Sequence, residues 1–259
     1  MTMLSIEDRG AVRWLTMHRP EHKNSVPADG WEQLRAAFEA YSDGAQRCLV
    51  ITGSEGNFCS GADLSLEELD QLTDRGRAEA AMRPPGAAAM TLHLLFKPTI
   101  AGVDGVAVGA GMNLALGCDI VVASDRARFA EIFVQRGLSI DFGGTWLLPH
   151  AVGRVQANDL AMTGRIVEAD EALAMGLVSR VVPAGRLEAE VTDLAEQIAK
   201  GPPAALRSIK RLLRSSPGLS FRDAVAQENE AQAAHLISDD FREGVEAFIE
   251  KRPPRFTGN

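Results

Sequence analysis

Apolar and polar positions alternate from Leu4 to Met17, on both sides of Arg9-Gly10. Alternation about a glycine predicts a β-hairpin. The polar loop His18 to Asn24 follows, and Trp31, Leu34, Phe38 and Tyr41 then recur at the interval of an amphipathic helix. Cys48 to Thr52 is short, ends at Gly53 and reads as a strand buried on both faces. Glu67 to Ala80 is charged and predicts helix, with Gly76 and Arg83-Pro84-Pro85 marking an irregular surface segment. Met90, Leu94 and Leu95 begin another helix face, which stops at Lys97-Pro98.

A β-branched run, Thr99 to Val108, predicts a strand that breaks at Gly109-Ala110-Gly111. It continues as a short apolar helix to Gly117 and returns through Ile120-Val121-Val122 as a second buried strand. Small residues at such a turn leave the first amides of the helix uncovered, and uncovered amides backed by a helix dipole attract negative charge. Three uses are open: a phosphate cradle, an oxyanion hole, or close packing of backbone alone. A dinucleotide turn wants a third glycine where Leu114 stands and a longer helix, although Asp125 falls near the acid it requires.

Ala127 to Ala130 and a helix-like Ile132 to Arg136 lead into Gly137 to Thr145, an apolar loop holding the single acid Asp141 before a short helix. Asp170 to Gly176 predicts a further helix and Leu177 to Val182 a strand. Strands recurring with short helices suggest an α/β chain of coiled ββα layers. From Gly185 the periodicity is helical only, with one stripe at Leu187, Val191, Leu194 and Ile198 and another at Phe241, Val245 and Phe248. Such faces need cover, and a second copy of the chain is a natural source.

With 259 residues, 46% of them hydrophobic, the chain can bury a full core as one domain with a smaller appendage. A net charge of −8 argues against a nucleic-acid surface, leaving only Lys210, Arg211 and Arg214 as a local basic group. Cys48, Cys59 and Cys118 have no metal-binding spacing, and an odd count suggests a reducing compartment. No apolar run reaches the roughly 18 residues that cross a bilayer. A soluble cytoplasmic protein, with neither nucleic acid nor membrane as partner, is the expectation.

Five motifs in order give the chain a resemblance to the crotonases, the enoyl-CoA hydratase/isomerase superfamily. They are His18-Arg19-Pro20 with Asn24, Leu49 to Gly53, Phe58 to Leu64, Lys97-Pro98 leading into Gly102 to Asn113, and Glu243 to Phe256. The resemblance implies a spiral of ββα turns over residues 1–196 and a C-terminal helical region, 197–259, that builds homotrimers or dimers of trimers. It implies acyl-CoA thioester substrates, coenzyme A being part of the substrate and no separate cofactor or metal being used. It assigns the amides of Ala62 and Ala110 to the thioester oxygen, as an oxyanion hole. Ser60, Gly61, Asp63, Leu64 and Gly109 surround those amides, and Asp63 has a structural reading equal to its chemical one. Lys23 and Lys251 are implied for the phosphates of coenzyme A, Lys251 reaching a neighbouring subunit, and Phe248 for the lining of the same cleft; solvated lysines and a packing phenylalanine are the plain alternative.

Hydratases of the family use two glutamates. Their positions fall here on Asn113 and Phe133, neither of which exchanges a proton as a carboxylate does. Asp141 resembles the lone acid of certain isomerases of the family. One carboxylate suffices to move a double bond, taking a proton from C2 and returning it at C4. Ile140 and Phe142 would raise its pKa by desolvation; the alternative is a helix cap. Glu131 is the nearest other acid, expected to point to solvent. Asn113 either binds substrate or satisfies backbone, and Phe142 and Trp146 are expected to shape an acyl pocket. An isomerase is therefore expected, with a hydratase of displaced acid and base, or a non-catalytic acyl-CoA binder, as alternatives.

Overall fold

The alternation of the opening hairpin becomes the edge of a six-stranded sheet. In the computed structural model, which describes residues 2–259 (67–69 by backbone alone), β1 (Leu4–Arg9) pairs antiparallel with β2 (Val12–Met17). β3 (Cys48–Gly53) and β4 (Thr99–Val103) add in parallel, followed by β6 (Ile120–Ser124) and β9 (Arg180–Val182). Because successive side chains point to opposite faces, Val12, Trp14, Cys48, Val50, Ile100 and Val122 face one side. There α8 (Leu187–Ala199) covers them with Leu187, Val191 and Leu194. Leu15, Met17, Leu49, Ile51, Ala101 and Val103 face the main core, closed by α1 (Gly30–Asp43) through Trp31, Leu34, Phe38 and Tyr41.

A second sheet is built from β5 (Val106–Val108), β7 (Arg128–Ala130) and β8 (Val167–Glu168). The run Thr99 to Val108 is thus two strands in two sheets, not one. The chain turns between them at Gly105, whose φ is +54° and where a Cβ would lie 2.1 Å from the Gly56 carbonyl oxygen. The charged segment forms α2 (Leu66–Gln71) and α3 (Arg75–Ala81), the latter capped by the Asp74 carboxylate accepting from the Arg77 amide. The two prolines open α4 (Arg83–Leu94) rather than an irregular segment, since proline at the first helical turn sacrifices no hydrogen bond. Its buried face is Pro85, Ala88 and Leu92, while Met90 and Leu94 point outward.

α5 (Ala110–Leu116) stops at Gly117 as its composition predicts. The helix after Asp141 is longer than expected: α6 (Gly144–Thr163) runs 20 residues, broken at Gly153, where φ 78° and ψ 159° are not helical. α7 (Ala169–Met175) leads to β9. The chain ends in α9 (Pro203–Ser215), α10 (Phe221–Leu236) and α11 (Asp239–Glu250). Residue 196 lies inside α8. No helix among the described residues is long and apolar enough to cross a membrane.

Two members of the basic group turn inward. Lys210 of α9 is buried, its Nζ 2.6 Å from Asp119 Oδ2 and donating to the Lys97 carbonyl, and Arg214 reaches Asp119 Oδ1 at 3.0 Å. Asp119 also accepts from the Thr99 amide and hydroxyl, so one carboxylate ties α9 to the central sheet. Removing it strands a buried ammonium. Asp119→Ala is expected to lower the unfolding free energy by about 2–3 kcal/mol, measured by urea denaturation.

Candidate active site

The two small-residue bends are pressed together backbone to backbone. Cys59 pairs with Ala107: its amide donates to the Val106 carbonyl at 2.9 Å, and its carbonyl accepts from Val108 at 3.1 Å. A Cβ on Gly111 would lie 2.2 Å from the Cys59 carbonyl oxygen, so only glycine allows this approach. Gly61 has φ +92°, and its Cβ position lies 3.5 Å from the Ala110 nitrogen. Gly109 (φ 55°, ψ −130°) sets up the helix start, and Ala110 keeps the negative φ that alanine requires. Among the described residues neither the Ala62 nor the Ala110 amide donates to a protein acceptor.

The bend from Phe58 to Leu64 is held by the polar loop before α1. The Asn24 amide group, fully buried, donates to the Ser54 and Asn57 carbonyls, and the Ser60 amide donates to the Lys23 carbonyl. Val26 and Ala62 form a parallel bridge. Asp63 pairs with Arg19 at 2.8 Å, and Arg19 also donates to the Ser25 carbonyl. Asp63 thus braces the bend.

Behind the glycine bend stand two acids. Asp141 is half-buried and does not cap α6: the N-cap is Gly143 with no side-chain bond, and Asp141 Oδ1 is buried without a partner among the described residues. The next residue, Phe142, takes φ 50°, a costly conformation for a bulky side chain. Its ring is buried 5.5 Å from that of Trp31, which anchors the turn while Asp141 points elsewhere. Asn113, buried in α5, donates from Nδ2 to the Asp141 carbonyl at 3.0 Å. A Cβ on Gly144 would meet that amide at 2.3 Å, so α6 can start this close to α5 only with glycine there. Asn113 therefore satisfies backbone and fixes the Asp141 turn. Burial raises the Asp141 carboxyl to about 6.

Glu131 does not face solvent. It is fully buried, and among the described residues neither carboxyl oxygen has a hydrogen-bond partner within normal geometry. Burial, then the charge of Asp141, pushes it up to about 8. Asn113 offsets part of the rise, although its Nδ2–H is directed at the Asp141 carbonyl. The signal was strand parity: Glu131 continues the inward face of β7, two residues beyond buried Phe129. The Ala130 carbonyl accepts from the Gly109 amide at 2.8 Å, and the buried Phe133 ring lies 3.6 Å from the Cβ position of Gly109. Glu131, Phe133, Asn113 and Asp141 are thus tied to one bend.

Other residues singled out in the sequence lie apart from the acids. Trp146 stacks on His150 at 4.1 Å and meets His93 edge-on, lining a cleft of about 590 Å³ beside Lys210. Lys23 and Leu64 are exposed at the rim of the first bend, and Ser60 donates to the His22 carbonyl. Phe248, 84% exposed, and Lys251 sit at the end of α11, which packs on α10.

Paired bends with free amides, backed by buried carboxyls on a coil of ββα turns, are the arrangement of a crotonase-fold enzyme. The model of the family described as enoyl-CoA hydratase/isomerase matches residues 7–259. The 1,2-epoxyphenylacetyl-CoA isomerase of Escherichia coli is 37% identical, covering 99% of this chain and 98% of its own. The short-chain-enoyl-CoA hydratase of Clostridium acetobutylicum is 33% identical over 95% and 94%. The crystal structure of an enoyl-CoA hydratase from Bacillus anthracis superposes with a TM-score of 0.94 at 29% identity, covering 100% of both chains. The chain belongs to the enoyl-CoA hydratase/isomerase family.

A carboxyl whose proton affinity is raised by folding stabilises the native state while protonated. For Glu131 that contribution is complete below pH 4.5 and is lost as the pH rises through about 8. Glu131→Gln, which cannot ionise, is expected to gain stability relative to the wild type across this window, read from thermal melts at several pH values.

Proposed function

We propose that this protein is an acyl-CoA isomerase that shifts a double bond, or rearranges an unsaturated or epoxide acyl group, through a thioester enolate. The observation that carries this reading is Asp141: a partly buried carboxyl with a partnerless oxygen, not spent on capping, held by Asn113 next to the bend that bears the free Ala110 amide. Taking the proton from C2 places negative charge on the thioester oxygen. Two fixed amides, Ala62 and Ala110, stabilise that oxygen as the charge develops, and losing one such donor costs about 3–4 kcal/mol in the transition state. Asp141 serves as the proton shuttle, and a pKa of about 6 keeps it ionised at neutral pH yet basic enough to accept the C2 proton.

Coenzyme A enters past Ser60, Gly61 and Leu64, with Lys23 meeting its phosphates. Lys251 and Phe248 of a neighbouring subunit complete the cleft in a homotrimer or dimer of trimers; Phe133 and Phe142 bound the acyl group. The working compartment is the cytoplasm. Hydration is the second reading, favoured by the buried Glu131: a second acid beside Asp141 meets the need of water addition for both a base and an acid.

Asp141→Asn is expected to lower turnover by about 100-fold or more while coenzyme A binding persists; unchanged turnover removes Asp141 from the mechanism. Assays of 3-enoyl-CoA isomerisation against crotonyl-CoA hydration separate the two readings. In the wild type kcat/KM is expected to fall as the pH drops below about 6, where Asp141 takes up its proton.

A further inference from the structure

A one-carboxylate isomerase leaves a buried group unemployed. Glu131 is fully buried, and its two oxygens, Asn113 Oδ1 and Asp141 Oδ1 all lack partners among the described residues. Ionised, these are four acceptors served by at most the second N–H of Asn113 Nδ2, the first being given to the Asp141 carbonyl. A proton on Glu131 adds a donor. Backbone holds the group in place, through the Gly109 amide on the Ala130 carbonyl and Phe133 against the same glycine. Leaving buried polar oxygens unpaired is costly, so the pair is not explained by stability.

We propose that Glu131, as a neutral carboxylic acid, is a second catalytic residue that delivers the proton to C4 of the dienolate while Asp141 removes the one from C2. This rests on the isomerisation proposed above and divides between two carboxyls the proton transfer given there to Asp141 alone. Asp141 takes the C2 proton, and the C–H electron pair enters the dienolate, whose charge rests on the thioester oxygen. A dienolate electron pair then forms the new C4–H bond with the Glu131 proton, the oxygen returns to a carbonyl, and the double bond lies between C2 and C3. Asp141 is left protonated and Glu131 ionised. One proton passing from Asp141 to Glu131 restores both, and it runs toward the group that holds a proton more tightly. The net reaction consumes no proton.

The test is a single turnover, enzyme in excess, of a 3-enoyl-CoA carrying deuterium at C2. The expected product has protium at C4, because the abstracted label stays on Asp141. Label found at C4 shows one group acting at both carbons and overturns the role of Glu131. In Glu131→Gln, C2 exchange into deuterated water is expected to persist while product formation falls by about 100-fold; undiminished product formation also overturns the proposal. Should that variant fail to fold, label at C4 in the wild type still overturns the proposal. A wild type that exchanges no C2 proton with a panel of acyl-CoA thioesters refutes the isomerase reading itself, and this proposal with it.

Discussion

Gly111 passes so near the Cys59 carbonyl that a single methyl group there would fall 2.2 Å from the oxygen. That backbone contact, together with the Cys59–Ala107 bridge, decides where the first bend meets the second and hence where the Ala62 and Ala110 amides stand. Much of the surrounding structure serves it. Gly105 turns the chain so that β5 leaves the large sheet and joins the small one, carrying the glycine bend toward Phe58–Leu64. Asn24 and the Arg19–Asp63 pair secure that segment from the other side. Amides fixed in this way need no rearrangement when charge develops, which is the condition for electrostatic stabilisation of an enolate.

The acids are placed by a different device. Each is tied to the glycine bend by one backbone carbonyl, that of Ala130 for Glu131 and that of Asp141 itself for Asp141. Among the described residues both Glu131 oxygens and Asp141 Oδ1 lack a hydrogen-bond partner, while the main chain next to them is fixed. Burial sets their proton affinities apart, and the charge of Asp141 adds to that of burial only at Glu131. Two carboxyls separated in this way can hold a single proton in a defined place near neutral pH.

Legibility in the sequence followed the strength of local pattern. The hairpin, α1 and β3 are plain because each carries its own unbroken local pattern: alternation, helical spacing and a short apolar run. Asp141 stood out as the one acid in an apolar loop. The division of the Thr99–Val108 run is marked by the turn dipeptide Asp104-Gly105, which the β-branched residues on either side mask, and the close contact of Gly105 with Gly56 cannot be read locally. Met90 and Leu94 looked like a core face only because apolar side chains on α4 outnumber those that the core can cover. The helix-like run Ile132–Arg136 suggests an outward position for Glu131. It lies instead just past the end of β7, keeping the inward parity of that strand, as the residue that precedes a 3₁₀ turn. Trp146 follows Asp141 by five residues, yet the intervening turn sends it to another cleft.

Cys48, Cys59 and Cys118 are all free and buried, and desolvation pushes each thiol up to about 12. Since the thiolate is the reactive form, none of the three competes for maleimide or iodoacetamide reagents in the folded protein. A cysteine introduced at an exposed position such as Phe248 would then be the sole target, and a fluorophore attached there would report on whatever approaches the end of α11.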